Sequence, residues 1–222
     1  GIGGVGSWVV EALARSGIGE LTLIDMDDIC VTNINRQLPA MSGTIGKLKT
    51  EVMSERVKLI NSECTVNIID DFISPENQSD YLNRDYDYVI DAIDNVKTKA
   101  SLIAYCKRNK INVITIGGAG GQTDPTQIQI ADLSKTIQDP LLAKVRSVLR
   151  KDYNFSQNPK RKFSIDAIFS TQPLIFPQMT EDCSISATMN CANGFGAATM
   201  ITATFGFFAV SRVIDKLLKK KS

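Results

Sequence analysis

The glycine-rich stretch GIGGVGSWVVEALARSG, residues 1–17, carries the strongest structural signal of this 222-residue chain. Gly1, Gly3 and Gly6 match the pattern G-x-G-x-x-G, in which the missing side chains allow a tight turn and a close approach of phosphate to the backbone. Ser7 is placed to cap a helix whose apolar residues recur at helical spacing. Because the first amides of such a helix point at an anion, the stretch predicts a phosphate-binding loop.

The next strand-like run, ELTLID, indicates that the bound phosphate belongs to a nucleotide. It places Asp25 nineteen residues after Gly6, at the end of the predicted strand. An acidic side chain at this place binds ribose hydroxyls in dinucleotide-binding proteins. A dinucleotide and a nucleoside triphosphate both fit these residues.

Strand-like and helical segments alternate along the rest of the chain. The runs ELTLID, TVNII, YDYVIDAID and INVITIG are separated by helical segments near residues 46–60 and 97–109, and QIQIADL, DPLLAKVRSVLR and IDAIFST follow. Such alternation predicts a Rossmann-like, doubly wound, mainly parallel α/β sheet. We expect residues 1–132 to form the nucleotide-binding domain, without a strand before the glycines. Residues 133–222 then form a C-terminal extension packed on it in the same globular unit.

The composition excludes several kinds of chemistry. The chain has no histidine, which removes imidazole bases, Ser/His/Asp triads and histidine-ligated metals. Its five cysteines, an odd number, are widely spaced and include no C-x-x-C pair, so we expect a reducing, cytoplasmic setting without structural zinc. The net charge of +1 gives no global nucleic-acid signature, and any contact with RNA must be local.

The C-terminal segment permits two interpretations. It carries no charge from Cys183 to Ser211, which is long enough for a membrane span. Interspersed glycine and threonine residues favour instead a helix buried against the sheet. The lysine-rich end, Lys216 and Lys219 to Lys221, is typical of a solvated tail and alternatively contacts RNA or anionic lipid.

Charged residues after the predicted strands favour a triphosphate over a dinucleotide. Neither a histidine nor a Tyr-x-x-x-Lys pair is present to relay a proton in hydride transfer. The stretch DMDDICVTNINRQ, residues 25–37, instead provides Arg36, which is able to reach a triphosphate, and Lys49 offers a second cation on the next helix. The alternative for Arg36 and Lys49 is a pair of solvated surface charges.

The stretch DAIDN offers carboxylates at the end of another strand, where open parallel sheets bind ligands. Asp94 suits Mg²⁺, which takes few carboxylates and keeps several waters. A helix cap is the alternative role for Asp94, since Asn95 and Val96 begin a helical run.

Together, GIGGVG, LIDMDDICVTNINRQ, GKLK and DAIDN resemble the ATP site of the ubiquitin-activating-enzyme-like family of adenylating enzymes. Within this family, GGAGGQTDPTQIQIADLSKTIQDPL, FST and CANGFGAATMITATFGF are similar to the branch of bacterial tRNA threonylcarbamoyladenosine dehydratases. The resemblance covers nearly the whole chain. It implies an ATP site composed of Gly3, Gly4, Gly6, Asp25 as ribose ligand, Asn33, Arg36 and Lys49 as phosphate ligands, Gln37, Asp94 as Mg²⁺ ligand, and Asn95. Arg36, Lys49 and Asp94 are the expected catalytic residues.

The resemblance also implies a reaction, ATP-dependent cyclisation of threonylcarbamoyladenosine beside the tRNA anticodon through an acyl adenylate. Adenylation of a ubiquitin-like or sulfur-carrier protein is the main alternative, and a silent nucleotide-binding scaffold is the alternative from another class. The missing paired C-x-x-C motifs favour the tRNA branch. The family further implies a homodimer, a sulfur-transfer partner and a structural monovalent cation. The family's N-terminal arginine, which enters the partner's ATP site, cannot be assigned in this sequence. Cys183 and Cys191 are candidates for a thioester, although free cysteines are more often buried.

A tRNA substrate requires a positive surface, and residues 144–163 offer one. Seven cations stand against only Asp152, with Tyr153, Phe155 and Phe163 interleaved. The seven are Lys144, Arg146, Arg150, Lys151, Lys160, Arg161 and Lys162. Such patches bind RNA phosphates while aromatic rings stack on unpaired bases. A solvated helix face with a loop is the alternative.

Overall fold

The computed structural model describes residues 1–83, 85–176 and 196–221. The helices are α1 (Gly6–Arg15), α2 (Lys49–Ile60), α3 (Gln78–Tyr81), α4 (Val96–Asn109), α5 (Pro140–Asp152) and α6 (Thr199–Lys221). The strands are β1 (Glu20–Ile24), β2 (Thr65–Ile69), β3 (Val89–Asp91), β4 (Val113–Ile116), β5 (Ile128–Asp132) and β6 (Asp166–Ser170). Short 3-10 turns occupy Val31–Asn33, Pro125–Gln127 and Leu133–Lys135.

The strands form two parallel groups separated by a groove. β1 pairs with β2, and a second sheet has the order β3-β4-β6-β5, in which only β5 runs antiparallel. The predicted mainly parallel α/β architecture is confirmed. β1 and β3 are not paired, and the groove of about 1110 Å³ between them is filled by no strand of the described residues. Gly1 and Ile2 lie at this groove, so the glycine loop starts between the two sheets.

Helices cover both faces of the sheet, as the alternating pattern predicts. Successive residues of a strand point to opposite faces. Ile168 of β6 accordingly packs in the cluster formed with α1 and α6, whereas Ala167 and Phe169 pack in the cluster formed with α4 and α5. β6 lies between β4 and β5, so residues beyond 132 contribute a strand to the sheet as well as helices to its surface.

The start of α1 is packed against a neighbouring loop, and its end is marked by a glycine. The helix has no side-chain cap at its start, and the prediction that Ser7 caps it is wrong. The Oγ of Ser7 instead accepts a hydrogen bond from the amide of Leu38 at 3.2 Å, because the helix start is packed against the loop that follows β1. Gly17 follows the last turn with φ of +72°, a conformation that favours glycine and ends the helix.

α6 is a packed helix of the core. Ile201, Phe205, Ala209 and Val213 are buried against α1 and the sheet, which confirms the interpretation of residues 199–221 as a buried helix. Among the described residues, no helix combines the length and apolarity needed to cross a membrane. The part of the uncharged segment from Cys183 to residue 195 lies outside the described residues.

Candidate nucleotide site

Asp25 fastens the glycine loop to the carboxyl end of β1. Its Oδ2 accepts a hydrogen bond from the amide of Ile2 at 2.5 Å, and its Oδ1 accepts one from the amide of Asp27 at 2.9 Å. The side chain is buried, with the residue only 6% exposed. A carboxylate oxygen has further lone pairs for a ribose hydroxyl. Asp25 therefore first serves to shape the loop that a nucleotide would contact.

Close packing requires glycine at position 6 of the loop, and Gly4 lies in contact with Arg36. A β-carbon on Gly6 would overlap the carbonyl oxygen of Gly1, so the turn closes only with glycine at position 6. A β-carbon on Gly4 would lie 3.5 Å from Cγ and Cδ of Arg36. The aliphatic stem of Arg36 therefore lies directly against the glycine loop, as the predicted phosphate site requires.

The loop after β1 brings further predicted residues to the same place. Asn33 is buried and its Oδ1 accepts a hydrogen bond from the amide of Cys30 at 3.0 Å, which closes the 3-10 turn. The guanidinium of Arg36 donates to the carbonyl oxygen of Thr32 at 2.8 Å and to Oδ1 of Asn35 at 3.0 Å. Arg36 is thus held in place while its cationic group stays at the surface.

Gln37 supplies the observation that points most directly to a ligand. Its side chain is 7% exposed, and its Oε1 finds no hydrogen-bond partner among the described residues. A β-carbon on Gly3 would lie 3.8 Å from its Nε2, so the amide group faces the glycine loop. An unpaired buried acceptor costs about 1–3 kcal/mol. A nucleotide hydroxyl or amine donor would remove this cost.

Lys49, the first residue of α2, is buried and reaches the end of β1. Its Nζ lies 2.6 Å from Oδ2 of Asp27, a carboxylate that is about half exposed. Lys49 is therefore a desolvated cation beside the glycine loop, rather than the solvated surface charge of the alternative interpretation. The contribution of Asp27 was missed by sequence reasoning, although the D-x-D spacing with Asp25 was a readable signal.

The end of β3 is held by a buried ion pair that sequence reasoning also missed. Lys99, on α4, has no exposed surface, and its Nζ lies 3.0 Å from Oδ2 of Asp91. The same Nζ donates to the carbonyl oxygen of Ile93 at 2.7 Å. Lys99 occupies a position on the apolar face of α4, where a lone lysine requires a buried partner.

This ion pair fixes the loop that carries Asp94 and Asn95. Asn95 caps α4, because its Oδ1 accepts hydrogen bonds from the amides of Lys97 and Thr98 at 3.1 Å. Asp94 does not cap the helix and its side chain is exposed at the carboxyl end of β3. No group of three or more acidic or cysteine side chains that could hold a metal occurs in the described ranges. One carboxylate beside phosphate oxygens and water suits Mg²⁺.

The loop after β4 is shaped by Asp139. Its Oδ2 accepts from the amide of Gly118 at 2.9 Å, and its Oδ1 accepts from the amide of Leu142 at 2.8 Å, which caps α5. Burial raises the pKa of Asp139, and the two amide hydrogen bonds offset only part of the rise. Gln122 follows in the same loop with an Oε1 that is unpaired within the described part of the chain.

The predicted basic set is divided by the structure. Arg146 donates to the hydroxyl of Thr136, and Arg150 lies 5.4 Å above the ring of Phe163. Phe163 is 3% exposed and packs edge-on to Phe155, so the expectation that its ring stacks on a base is wrong. Its apolar ring completes the cluster under α5 instead.

The remaining cations are exposed in two places. Lys144 and Lys151 lie on the outer face of α5, and residues 160–162 lie in the loop before β6. This loop leads into the amino end of β6, whereas Asp25, which holds the glycine loop, and Asp94 follow the carboxyl ends of β1 and β3. The basic triplet Lys160, Arg161 and Lys162 is therefore at the opposite edge of the sheet from the nucleotide site.

Comparison with known proteins supports the family that the sequence motifs indicate. The ThiF family matches residues 1–222. The chain belongs to the ThiF family. It is 98% identical over 222 residues to the tRNA threonylcarbamoyladenosine dehydratase of Haemophilus influenzae, covering 100% of this chain and 85% of that protein. The corresponding protein of Escherichia coli is 57% identical over 227 residues, covering 99% of this chain and 85% of that protein.

The solved structures agree. The crystal structure of the E. coli tRNA N6-threonylcarbamoyladenosine dehydratase in complex with ATP matches this ThiF-family chain with a TM-score of 0.90 at 56% identity. The match covers 100% of this chain and 84% of the chain in that crystal structure. The resemblance identified from the sequence motifs is therefore confirmed at the level of family and fold.

Not every predicted residue of this ThiF-family chain can be placed. Asp25, Arg36 and Gln37 lie against the glycine loop. Asn33 and Lys49 are held by Cys30 and Asp27 of the segment after β1, and Asp94 and Asn95 follow β3. Cys183 and Cys191 lie outside the described residues, and their part in a thioester stays a prediction.

Proposed function

We propose that this protein cyclises N6-threonylcarbamoyladenosine in tRNA, beside the anticodon, in an ATP-dependent reaction. The observation that carries the proposal is the unpaired Oε1 of Gln37 beside the glycine loop, against which the stem of Arg36 also lies, with the buried Lys49 held on Asp27. This arrangement presents both a hydrogen-bond acceptor and two cations to a nucleotide. The names of the relatives supply the substrate class.

The reaction must first make a carboxylate reactive. A carboxylate oxygen of the modified adenosine attacks the α-phosphorus of ATP, the bond to pyrophosphate breaks, and an acyl adenylate forms. The ureido group of the same base then attacks the activated carbonyl, loses a proton, and expels AMP. One oxygen of the carboxylate leaves with AMP, so the base loses one water overall. Both reacting groups belong to one substrate, and positioning supplies much of the rate.

The residues act mainly on phosphate charge. Arg36 and Lys49 stabilise the negative charge that develops as the α-phosphorus is attacked. Lys49 is already desolvated, which strengthens its interaction with a phosphate. The Nζ of Lys49 also forms an ion pair with Asp27, and this ion pair must weaken when the triphosphate binds. Asp94 would hold Mg²⁺, which would neutralise part of the negative charge of the triphosphate.

Single substitutions test these roles. Arg36→Ala, Lys49→Ala and Asp94→Ala are each expected to lower turnover by roughly two orders of magnitude, the usual cost of a lost transition-state contact. Lys47→Ala is the matched control, because this lysine is exposed two residues before Lys49. Mass spectrometry of anticodon-loop nucleosides after incubation with ATP measures the product. Full activity of the three variants would refute the assignment.

The choice of acceptor molecule distinguishes the proposed reaction from its two alternatives. In a pyrophosphate-exchange assay, modified tRNA should stimulate exchange, whereas a ubiquitin-like or sulfur-carrier protein should not. Exchange with the carrier protein alone would favour the first alternative. A silent scaffold would bind ATP and turn over with neither acceptor. The combined presence of Arg36, Lys49 and Asp94 argues against the scaffold.

For tRNA contact we propose a track along α5. Lys144 and Lys151 are about 10 Å apart along the helix axis and continue toward the basic triplet. This track would lead RNA from the nucleotide edge of the sheet to the opposite edge. Replacing the triplet by alanine is expected to weaken tRNA binding and to flatten its salt dependence by about two to three counterions, with ATP binding unchanged. An unchanged salt slope would place the RNA elsewhere.

We also infer that the protein is a homodimer in the cytoplasm. α6 exposes the large apolar side chains of Met200 and Phe207, at 60% and 45%, which is the kind of surface that a second copy covers. Light scattering on the purified chain tests the mass. A sulfur-transfer partner, a structural monovalent cation and a membrane contact of the tail stay predictions from the family resemblance or the sequence.

A further inference from the structure

Trp8 lies where the glycine loop, the loop of Arg36 and α6 meet. It is in the first turn of α1, and its Nε1 donates a hydrogen bond to the carbonyl oxygen of Arg36 at 3.1 Å. It is also the only tryptophan of the chain. The indole thus connects the helix that follows the glycine loop to the backbone of the predicted phosphate ligand.

α6 fixes the orientation of this indole. A β-carbon on Gly206 would lie 3.0 Å from the β-carbon of Trp8 and 3.1 Å from the amide nitrogen of Val9, so the two helices touch here. The ring of Phe207 meets the indole edge-on, with centroids 6.0 Å apart and planes at 84°. The direction of the Nε1–H is therefore set by the packing of α6.

The amide of Arg36 donates within its own turn, to the carbonyl oxygen of Asn33 at 3.1 Å, whereas its carbonyl oxygen is bound from α1 and α6. Thr202 of α6 contacts the same carbonyl oxygen through its Oγ1 at 3.4 Å, a longer contact than that of the indole. Two residues later, the amide of Leu38 donates to Ser7 at 3.2 Å. The Trp8 bond is thus the shorter of the two described bonds to the carbonyl of Arg36, and it ties the backbone from which the arginine stem starts above Gly4 to α1.

We propose that Trp8 is a positioning residue, which through this hydrogen bond holds Arg36 over the glycine loop and makes α6 part of the triphosphate site. The inference rests on the proposed function, in which Arg36 binds phosphate. Trp8 has no described contact with Asp25 or Gln37, the residues next to the nucleoside. Loss of the indole donor should therefore weaken the hold on phosphate and leave the hold on adenosine unchanged.

The experiment removes the donor and keeps the shape. Biosynthetic replacement of tryptophan by β-(3-benzothienyl)alanine changes only position 8, because the chain has a single tryptophan, and puts sulfur in place of N–H. Trp8→Phe is the second variant. Calorimetry is expected to show ATP binding weakened about two- to tenfold, the range of one neutral hydrogen bond. Adenosine binding should not change.

Two further measurements keep the inference falsifiable. In an Arg36→Ala background, the tryptophan analogue should cause no additional loss of ATP affinity, since its effect runs through Arg36. Equal weakening of ATP and adenosine, or an additional loss in that background, would overturn the inference. If Arg36→Ala by itself leaves ATP binding and turnover intact, the proposed function fails, whatever the analogue does.

Discussion

Replacing Lys99 by methionine tests how the loop of Asp94 is built. Lys99 and Asp91 both have side chains with no exposed surface, and their charged atoms lie 3.0 Å apart. Methionine keeps the length of the side chain and removes the charge. Asp91 then keeps hydrogen bonds from the hydroxyl of Thr115 at 2.7 Å and the amide of Ile93 at 3.0 Å, but no cation.

The expected cost is large for a protein of this size. Breaking a buried ion pair by removing one partner costs about 3–5 kcal/mol, because the remaining charge stays buried without compensation. The carbonyl oxygen of Ile93 also loses the donor that approaches it at 2.7 Å. Since total stabilities are about 5–15 kcal/mol, Lys99→Met is expected to remove roughly a fifth or more of the free energy of unfolding.

Urea unfolding at neutral pH measures this loss by linear extrapolation. Lys97→Met is the control, because Lys97 is exposed two residues earlier on the same helix and its replacement should change stability by less than about 0.5 kcal/mol. The double variant Asp91→Asn with Lys99→Met removes both charges. It should recover at least about 1 kcal/mol relative to Lys99→Met, since no unpaired charge remains.

The double variant also decides whether the reasoning is correct. If it is no more stable than Lys99→Met, the cost comes from lost packing or lost carbonyl contacts, and uncompensated charge is not the cause. A loss below about 1 kcal/mol in Lys99→Met would refute the buried ion pair itself.

Three further predictions follow from the same contacts. Burial raises the pKa of Asp139, so protonation of this carboxyl favours the folded state. The free energy of unfolding should therefore fall as the pH rises above the ordinary carboxyl range. Urea unfolding at several pH values should show a smaller fall in Asp139→Asn. Gly6→Ala should lower the affinity for ATP roughly tenfold or more, about 1.4 kcal/mol. Gly19→Ala is the control and should leave the affinity unchanged, because a β-carbon at Gly19 meets open space. Equal affinities of the two variants in calorimetry would refute the packing argument. Burial alone would raise the pKa of Glu11, but hydrogen bonds from arginines, chiefly Arg56, hold it below its ordinary value. Arg56→Met should therefore destabilise the protein near pH 7, with a difference in thermal midpoint that shrinks as pH falls into the carboxyl range.

Much of the nucleotide site is encoded locally and was predicted from the sequence. The spacing of Gly1, Gly3 and Gly6 indicates a close turn, in which position 6 admits only glycine, and the strand after it ends at Ile24, directly before Asp25. The helix cap at this strand end is also a local pattern, but the sequence indicated Asp94 as the possible cap, whereas the structure places the cap at Asn95, one residue later. Short-range geometry of this kind follows from the order of residues alone.

The errors and omissions share a different cause. Ser7 is a good capping residue, yet tertiary packing turns its hydroxyl toward Leu38. Phe163 follows a basic run and was expected to face RNA, but the folding of the loop buries its ring under α5. A sequence pattern gives no indication of which of two compatible environments a side chain enters when the partner is distant in the chain.

The sequence by itself determined the glycine loop, the alternation of strands and helices, the cations available to a triphosphate and, through its motifs, the family. Only the tertiary structure decided that Lys99 is buried beside Asp91, that Trp8 meets Arg36 28 residues away, and that the basic triplet lies at the far edge of the sheet. Local structure can be predicted from the sequence because neighbouring residues belong to one continuous stretch of backbone. Contacts between distant residues depend on how whole elements pack, which no single stretch encodes.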